Sequence, residues 1–247
     1  MRSFLILFKN ELKLNIRNMN MVIFAIIMPV IVQLIIGMLN GTNPAFEGAG
    51  YTFMELSFGA LCTISICAGG LMGLPILVAE YRERKILKRF QVTPVSPIKL
   101  LTVELTIYIL YCFLSMISLF ITSKLFWKLS VQGSWLGFLA SWILTMISTF
   151  SVGMMVGGLA KNSKTASIYA SFLYFPMLVF SGTTFPYELM PVGVQKIVRL
   201  FPITQGIQLM KAAFLGLPLD NIFLSVVVMG MITLICTGIA VRYFKWE

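Results

Sequence analysis

One segment of this sequence, AEYRERKILKRFQVTPVSPIKLL at residues 79–101, carries its only dense cluster of charged side chains. Glu80 and Arg84 are four residues apart with the acid first, the favourable order for an ion pair along one face of a helix. Leu87 and Phe90 form an apolar ridge beside these charges. Apolar anchors with a charged rim are typical of a surface that binds another protein, although a basic loop beside a membrane would carry similar charges.

The same segment contains clear helix stop and start signals. Pro94 ends the charged helix, which we predict over residues 80–92. Ser96 followed by Pro97 is typical of an N-cap and first-turn pair, so a new helix should begin there.

Side chains for catalysis are scarce. Histidine is absent and aspartate occurs once, at Asp220, which removes the usual zinc ligands and the usual general base. The nearest match to a phosphate-binding loop, GLAKNSKT at 158–165, has Ser163 in place of the second glycine and follows an apolar segment instead of a strand. We therefore expect no enzyme activity, no metal and no cofactor in this chain. The four cysteines all lie in apolar runs and are interpreted as small buried hydrophobic residues.

The composition predicts whether the chain folds in water or in a membrane. Of 247 residues, 58% are hydrophobic and 11% are charged, and the mean hydropathy is +0.91, whereas a soluble domain has about 25% charged residues. The sequence therefore predicts an all-α integral membrane protein, a single transmembrane domain over 1–247. Six charge-poor segments are long enough to cross about 30 Å of hydrocarbon: 19–39, 56–79, 105–123, 135–158, 165–187 and 221–241.

The basic residues predict the orientation. With both termini in the cytoplasm, fourteen of the 19 lysines and arginines fall on the cytoplasmic side and five fall outside, as the positive-inside rule requires. The net charge of +10 is thus attributed to topology and not to nucleic acid. We expect a multi-pass protein of the plasma membrane, in contact with its lipid.

Two further segments do not fit simple spans. Phe4, Phe8, Leu12 and Ile16 follow helical spacing and predict an amphipathic helix over the first seventeen residues, lying at the membrane interface. Residues 186–218 are apolar but interrupted by prolines and glycines. They predict broken helices that re-enter the membrane from outside, with a flat extracellular cap as the open alternative.

The trimmed spans contain no ionisable side chain, so ion-coupled transport lacks its usual residues. Any transported solute should then be hydrophobic or amphipathic and be driven from elsewhere. Two glycine pairs, each four residues apart, favour close helix packing: Gly69 and Gly73 in span two, and Gly153 and Gly157 in span four.

These features together resemble the type-two ATP-binding-cassette (ABC) transporter permeases, the six-span membrane subunits of bacterial exporters. AEYRERKILKRFQVTPVSP at 79–97 is similar to the acidic and arginine-rich coupling helix of that family, which ends in Thr-Pro. FPMLVFSGTTFPYELMPVGVQKIVRLFPITQGIQLMK at 175–211 is similar to its Pro, Ser-Gly, Phe-Pro, Pro and Pro-x-Thr series. One departure is Lys85, which stands where family members commonly have glycine.

The resemblance implies two partners: a separate ABC subunit that binds ATP and Mg²⁺, and a second permease copy, identical or homologous. Carried over by position, four residues would contact the ATPase subunit: Glu80, Glu83, Arg84 and Lys88. Tyr169, Ser171 and Tyr174 in span five would line the solute path at the permease dimer interface. The alternative is a passive channel or membrane scaffold without ATPase coupling, which would share the spans and the basic loop.

Overall fold

The computed structural model describes residues 2–91, 96–180, 191–218 and 222–243. These ranges are helical and contain no strand; an isolated β-bridge joins Pro44 and Thr52. The helices, numbered here in chain order, are α1 (Arg2–Asn18), α2 (Ile23–Asn40, after a turn at Asn20–Val22), α3 (Phe53–Glu83), α4 (Ile86–Gln91), α5 (Pro97–Trp127), α6 (Trp135–Leu159), α7 (Ser163–Phe180), α8 (Val192–Val198), α9 (Pro202–Leu215) and α10 (Ile222–Tyr243).

Five of these helices are long and apolar enough to cross a membrane: α2, α3, α5, α6 and α10. They coincide with five of the six predicted spans, which confirms an all-helical membrane protein. The sixth predicted span, 165–187, corresponds to α7, an 18-residue helix that carries Lys164 in its first turn and Pro176 in its interior. Its continuation through 181–187 lies outside the described residues.

Helix α3 forms the centre of the bundle. In its most apolar stretch 78% of the residues are buried, against 22% in α2 and 17% in α10, so the latter two lie at the periphery. The first half of α3 packs against α9 and its second half against α6 and α7. A continuous apolar helix surrounded in this way must bury side chains on every face, which explains its lack of an amphipathic pattern.

Both α2 and α3 contain a short π-helical segment directly before a proline. In α3 it covers Ala68–Gly73, and the Leu74 amide donates to the carbonyl of Gly69, five residues earlier. Pro75 follows, and it has no amide hydrogen for the regular helical bond. In α2 the segment is Ile23–Ile27, followed by Pro29. Such segments are often found at functional sites.

Helix starts follow the side-chain signals in the sequence. Ser96 accepts a hydrogen bond from the Lys99 amide, with Pro97 at the first helical position, which confirms the predicted cap of α5. Thr52 and Glu55 form a reciprocal capping box at α3. Ser134 caps α6 in the same manner, since its hydroxyl accepts from the Gly137 amide.

An aromatic cluster fixes the end of the bundle where α3 and α6 begin. The ring of Phe58 lies 5.1 Å from that of Phe214 and 5.5 Å from that of Phe138, and all three side chains are fully buried. Phe214 belongs to α9, whose predicted apolar positions (Ile203, Ile207, Met210 and Phe214) are all buried. The end of α9 is fastened by backbone bonds from Gly133 to the Phe214 carbonyl and from Ser134 to the Ala213 carbonyl.

Helix α1 packs on α5, and its length matches the prediction. Phe4, Phe8 and Leu12 contact a buried patch that includes Ile107 of α5, while Ile16 is 49% exposed. Two predicted boundaries need correction. Span three is part of a longer helix, Pro97–Trp127, because helical hydrogen bonding continues past the apolar stretch. The charged helix predicted over 80–92 is divided between the end of α3, at Glu83, and the separate helix α4, Ile86–Gln91.

Candidate functional site

The charged segment forms a corner between two helices at the end of the bundle where α3 stops. We call this region, residues 80–91, the α3–α4 corner. Helix α3 continues to Glu83, so Glu80 and Glu83 belong to a membrane helix and not to a separate one. The chain turns at Arg84 and Lys85 and resumes as the short helix α4.

Lys85 makes this turn possible by adopting a left-handed backbone. Its φ is +55°, and its amide donates to the Arg82 carbonyl at 2.9 Å. A side chain disfavours that conformation, whereas glycine adopts it readily. Glycine, which the family that this sequence resembles commonly has here, would adopt this backbone conformation without the steric cost that Lys85 carries.

The predicted ion pair is present and exposed. A guanidinium nitrogen of Arg84 lies 2.9 Å from a carboxylate oxygen of Glu80, and the two side chains are 69% and 37% exposed, respectively. Lys88 is exposed on α4 as well. A fully buried Leu87 anchors α4 to the bundle while Phe90 is half-buried, so the apolar ridge faces inward and the charges face outward.

Glu83 has a different role from its neighbours, because it joins α3 to α7. Its carboxylate accepts hydrogen bonds from the amide of Ser163 at 2.9 Å and from the Ser163 hydroxyl at 2.7 Å. Arg82 donates to the carbonyl of Gly158 at 2.8 Å, near the end of α6. The end of α3 is thus bonded to the helices on both sides of the α6–α7 connection, a link that the sequence reasoning did not predict.

The predicted solute-path residues lie on α7 but do not share one face. Ser171 lines a shallow cavity on the exposed side of α7, together with Phe172 and Phe175. Its hydroxyl lies 4.0 Å from the sulfur of Met72 in the π-helical segment of α3. Tyr169 is 51% exposed and Tyr174 is half-buried; five residues of helix separate them by about 140° around the axis. Their role in a solute path stays a prediction.

The two glycine pairs contact different helices. Gly153 of α6 lies against the backbone of Gly70 in α3, where a Cβ atom would overlap the Gly70 carbonyl oxygen, and Gly157 lies against Pro75. Gly69 and Gly73 instead face the ring of Tyr108 on α5. Three of the four glycines therefore lie at tight contacts, whereas Gly69 has its nearest neighbour at 3.5 Å; the spacing did not point to Gly70, whose carbonyl oxygen faces Gly153.

Two buried carboxyl groups were also missed. Glu55 and Glu104 are 5% and 0% exposed, respectively, although both lie just outside the predicted spans. Glu55 accepts from the amide and the hydroxyl of Ser130 and from the amide of Thr52. The signal that could have located Glu104 is its position among apolar residues in the first turns of a long helix, away from the charged cluster.

Comparison with known proteins gives the family. The model of the ABC-2 type transporter family matches residues 2–215, most of the chain. Nodulation protein J of Neorhizobium galegae is 37% identical over 81 residues, which cover 33% of this chain and 31% of that protein. Nodulation protein J of Rhizobium leguminosarum bv. viciae is 32% identical over 83 residues, 34% and 32% of the two chains. The inner membrane transport permease YhhJ of Escherichia coli (strain K12) is 24% identical over 132 residues, 53% and 35%.

The aligned parts span about a third of the length of each of these relatives. The family match instead extends from α1 through α9 and includes the α3–α4 corner. This chain belongs to the ABC-2 type transporter family, as a multi-pass membrane protein.

Proposed function

We propose that this chain is the permease subunit of a bacterial exporter in the plasma (inner) membrane. It moves an amphipathic or hydrophobic solute outward, such as a drug, an antibiotic, a peptide or a lipid-like molecule. A separate ABC subunit binds ATP and Mg²⁺ and hydrolyses the nucleotide. In this arrangement α7 is the sixth span, since its 18 residues extend about 27 Å. Both termini are then cytoplasmic. Helix α1 lies at the membrane interface, and α8 and α9 re-enter the membrane from outside.

The α3–α4 corner is the observation on which this proposal depends. Its charged groups Glu80, Arg84 and Lys88 are available to a protein partner, while Leu87 holds α4 on the bundle. A force on α4 reaches α3 directly through the turn at Lys85. Exposed charged groups are typical of the polar rim of an interface, and packed helices transmit such a force because they are bistable and not continuously deformable.

Glu83 extends the effect of the corner beyond its own helix. Because Glu83 bonds Ser163, movement of the end of α3 also displaces the start of α7. Helix α7 carries the proposed solute-path residues Tyr169, Ser171 and Tyr174, and its exposed apolar side would face the second permease copy. ATP-driven closure of the ATPase subunits would in this way bias the position of the helix beside the solute.

The test is purification of the tagged chain from its native membrane in mild detergent. An ABC ATPase subunit present at one to one, with ATP hydrolysis, is the expected result. The double variant Glu83→Arg with Arg84→Glu should insert normally but lose most of the co-purifying subunit. The matched control reverses two charges at the opposite end of α5, Lys124→Glu with Lys128→Glu, and should retain it.

Reproducible isolation of the wild-type chain alone would contradict the proposal and favour the passive channel or scaffold. Equal retention of the ATPase subunit by both double variants would instead show that the α3–α4 corner is not its docking site.

A further inference from the structure

Glu104 is a fully buried carboxyl group at the contact of three helices. It lies two turns into α5, and its side chain is 0% exposed. One carboxyl oxygen is 2.7 Å from the hydroxyl of Tyr81 on α3, and the other is 3.2 Å from the amide nitrogen of Asn15 on α1. The same Tyr81 hydroxyl is 3.4 Å from a carboxyl oxygen of Glu11, also on α1. We refer to these four residues as the Glu104 cluster.

The Glu104 cluster lacks the positive charge that would normally accompany two acids. Among the side chains that the structure describes, no lysine or arginine forms an ion pair with Glu11 or Glu104, since the ion pair present joins Glu80 to Arg84. The other titratable side chains near Glu104 on its own helix are Tyr108 and Tyr111, 2% and 3% exposed, respectively. The described side chains that bond Glu104, Tyr81 and Asn15, are uncharged, and the group that shares the Tyr81 hydroxyl is acidic.

The hydrogen bonds show why two ionised carboxylates do not fit. The Tyr81 hydroxyl has one hydrogen to donate, yet a carboxyl oxygen of each acid lies within 3.4 Å of it. If both acids were ionised, one would face the tyrosine oxygen without a proton between them. An unpaired buried charge is far more costly than a neutral hydrogen-bonded group, and a buried acid responds by taking up a proton.

We propose that the Glu104 cluster is a proton-binding site, in which a proton on Glu104 keeps α1 docked on α5 and on the end of α3. With the proton bound, Glu104 is neutral, and the Tyr81 hydroxyl and the Asn15 side-chain amide provide its remaining hydrogen bonds. When the proton leaves to solvent, Glu104 becomes a buried carboxylate close to the carboxyl group of Glu11. Helix α1 is the element able to separate, because it packs on the bundle from one side and joins α2 through Met19, whose φ is +52°.

The direction of the pH effect follows from proton counting. The docked form binds one more proton than the undocked form, in which Glu104 is hydrated and ionised. Docking of α1 is therefore complete at low pH and weakens as the pH rises, by up to tenfold per pH unit while the docked form still holds the proton that the undocked form has lost. Since α1 then releases Tyr81, three residues before Arg84, the proton would also control the freedom of the α3–α4 corner. This last consequence, and no other part of the inference, rests on the proposed function.

The first measurement is infrared spectroscopy of the protein in lipid nanodiscs from mildly acidic to mildly alkaline pH. The carbonyl stretch of a protonated carboxylic acid should persist at neutral pH in wild type and disappear in Glu104→Gln. Glu55→Gln is the matched control, because the buried Glu55 carboxylate accepts three bonds from donors and should stay ionised; its spectrum should keep the band. A wild-type spectrum without that band at neutral pH would overturn the proposal.

A second variant and a second readout protect the result against misfolding. Tyr81→Phe removes the shared hydroxyl and should keep the band but shift its position. Amide hydrogen exchange over α1, corrected for the pH dependence of intrinsic exchange, should increase with pH in wild type and not in Glu104→Gln. Exchange in α1 that does not change with pH in wild type would equally overturn the proposal. Neither readout needs ATP or a solute, so failure of the proton-site proposal can be distinguished from failure of the exporter assignment.

Discussion

The backbone contact between Gly153 of α6 and Gly70 of α3 gives a graded prediction about stability. A Cβ atom added at Gly153 would lie well under 3.0 Å from the carbonyl oxygen of Gly70. Both partners are backbone in long helices, so neither can rotate away, and α6 must move from α3 to admit a methyl group. We expect Gly153→Ala to cost about 3 kcal/mol for the overlap, less about 1 kcal/mol gained in helix propensity, a net loss of about 2 kcal/mol.

Three other glycines provide the rest of the series. At Gly157 the added Cβ would meet Pro75 and Val78 at 3.0 Å, and at Gly238 of α10 it would meet nothing within 4 Å. Gly157→Ala should therefore cost less than Gly153→Ala, and Gly238→Ala should be neutral or stabilising by up to about 1 kcal/mol. Gly69, with its nearest neighbour at 3.5 Å, should resemble Gly238.

Thermal unfolding of the purified variants in one detergent, followed by loss of monodisperse protein, would measure the order. Gly153→Ala should unfold at the lowest temperature and Gly238→Ala at the highest. Equal stability of these two variants would refute the reasoning, because it would mean that α3 and α6 are not in backbone contact at Gly70.

Three further changes have distinct expected results. Lys85→Gly relieves the left-handed turn at the α3–α4 corner and should stabilise the protein by up to about 1 kcal/mol, measured as a higher unfolding temperature, whereas Lys85→Val should lower it. Glu83→Ala removes the acceptor for both Ser163 bonds and should loosen the start of α7, as for a lost cap, with faster amide exchange confined to the first turn of α7. Phe214→Ala removes a ring packed 5.1 Å from Phe58 and should cost about 3–5 kcal/mol; new protease sensitivity in α9 would locate the damage.

The helices could be predicted from the sequence to a useful extent because apolar length is a strong signal. Helix α6, predicted over 135–158, is observed as Trp135–Leu159, since Ser134 caps its start. Helices α3 and α5 extend well beyond their predicted spans because charged residues were used as limits. Backbone hydrogen bonding does not end where the apolar residues end, so a limit set by charge marks the edge of the hydrocarbon and not the end of the helix.

The contacts of the candidate site were less predictable. The Glu80–Arg84 pair follows from local spacing and was confirmed. The bond from Ser163 to Glu83 joins residues eighty positions apart, and no local pattern encodes such a contact. Glu104 was overlooked because charged residues were used as the limits of the spans, whereas a carboxyl group can be buried once a proton or hydrogen bonds neutralise it.

Helix α3 brings these features into one mechanical element. Its second half is bonded at Arg82 to α6 and at Glu83 to α7, and Tyr81 bonds the Glu104 cluster. Its first half packs on α9. Between the two halves lies the π-helical segment Ala68–Gly73, where the α6 backbone contacts Gly70. Regular α-helical bonding is already interrupted there, so bending α3 at this point breaks the fewest bonds. Rotation of the second half of α3 about its contact with Gly153 would move α7 as well. Helix α9, which packs on the first half, would stay in place.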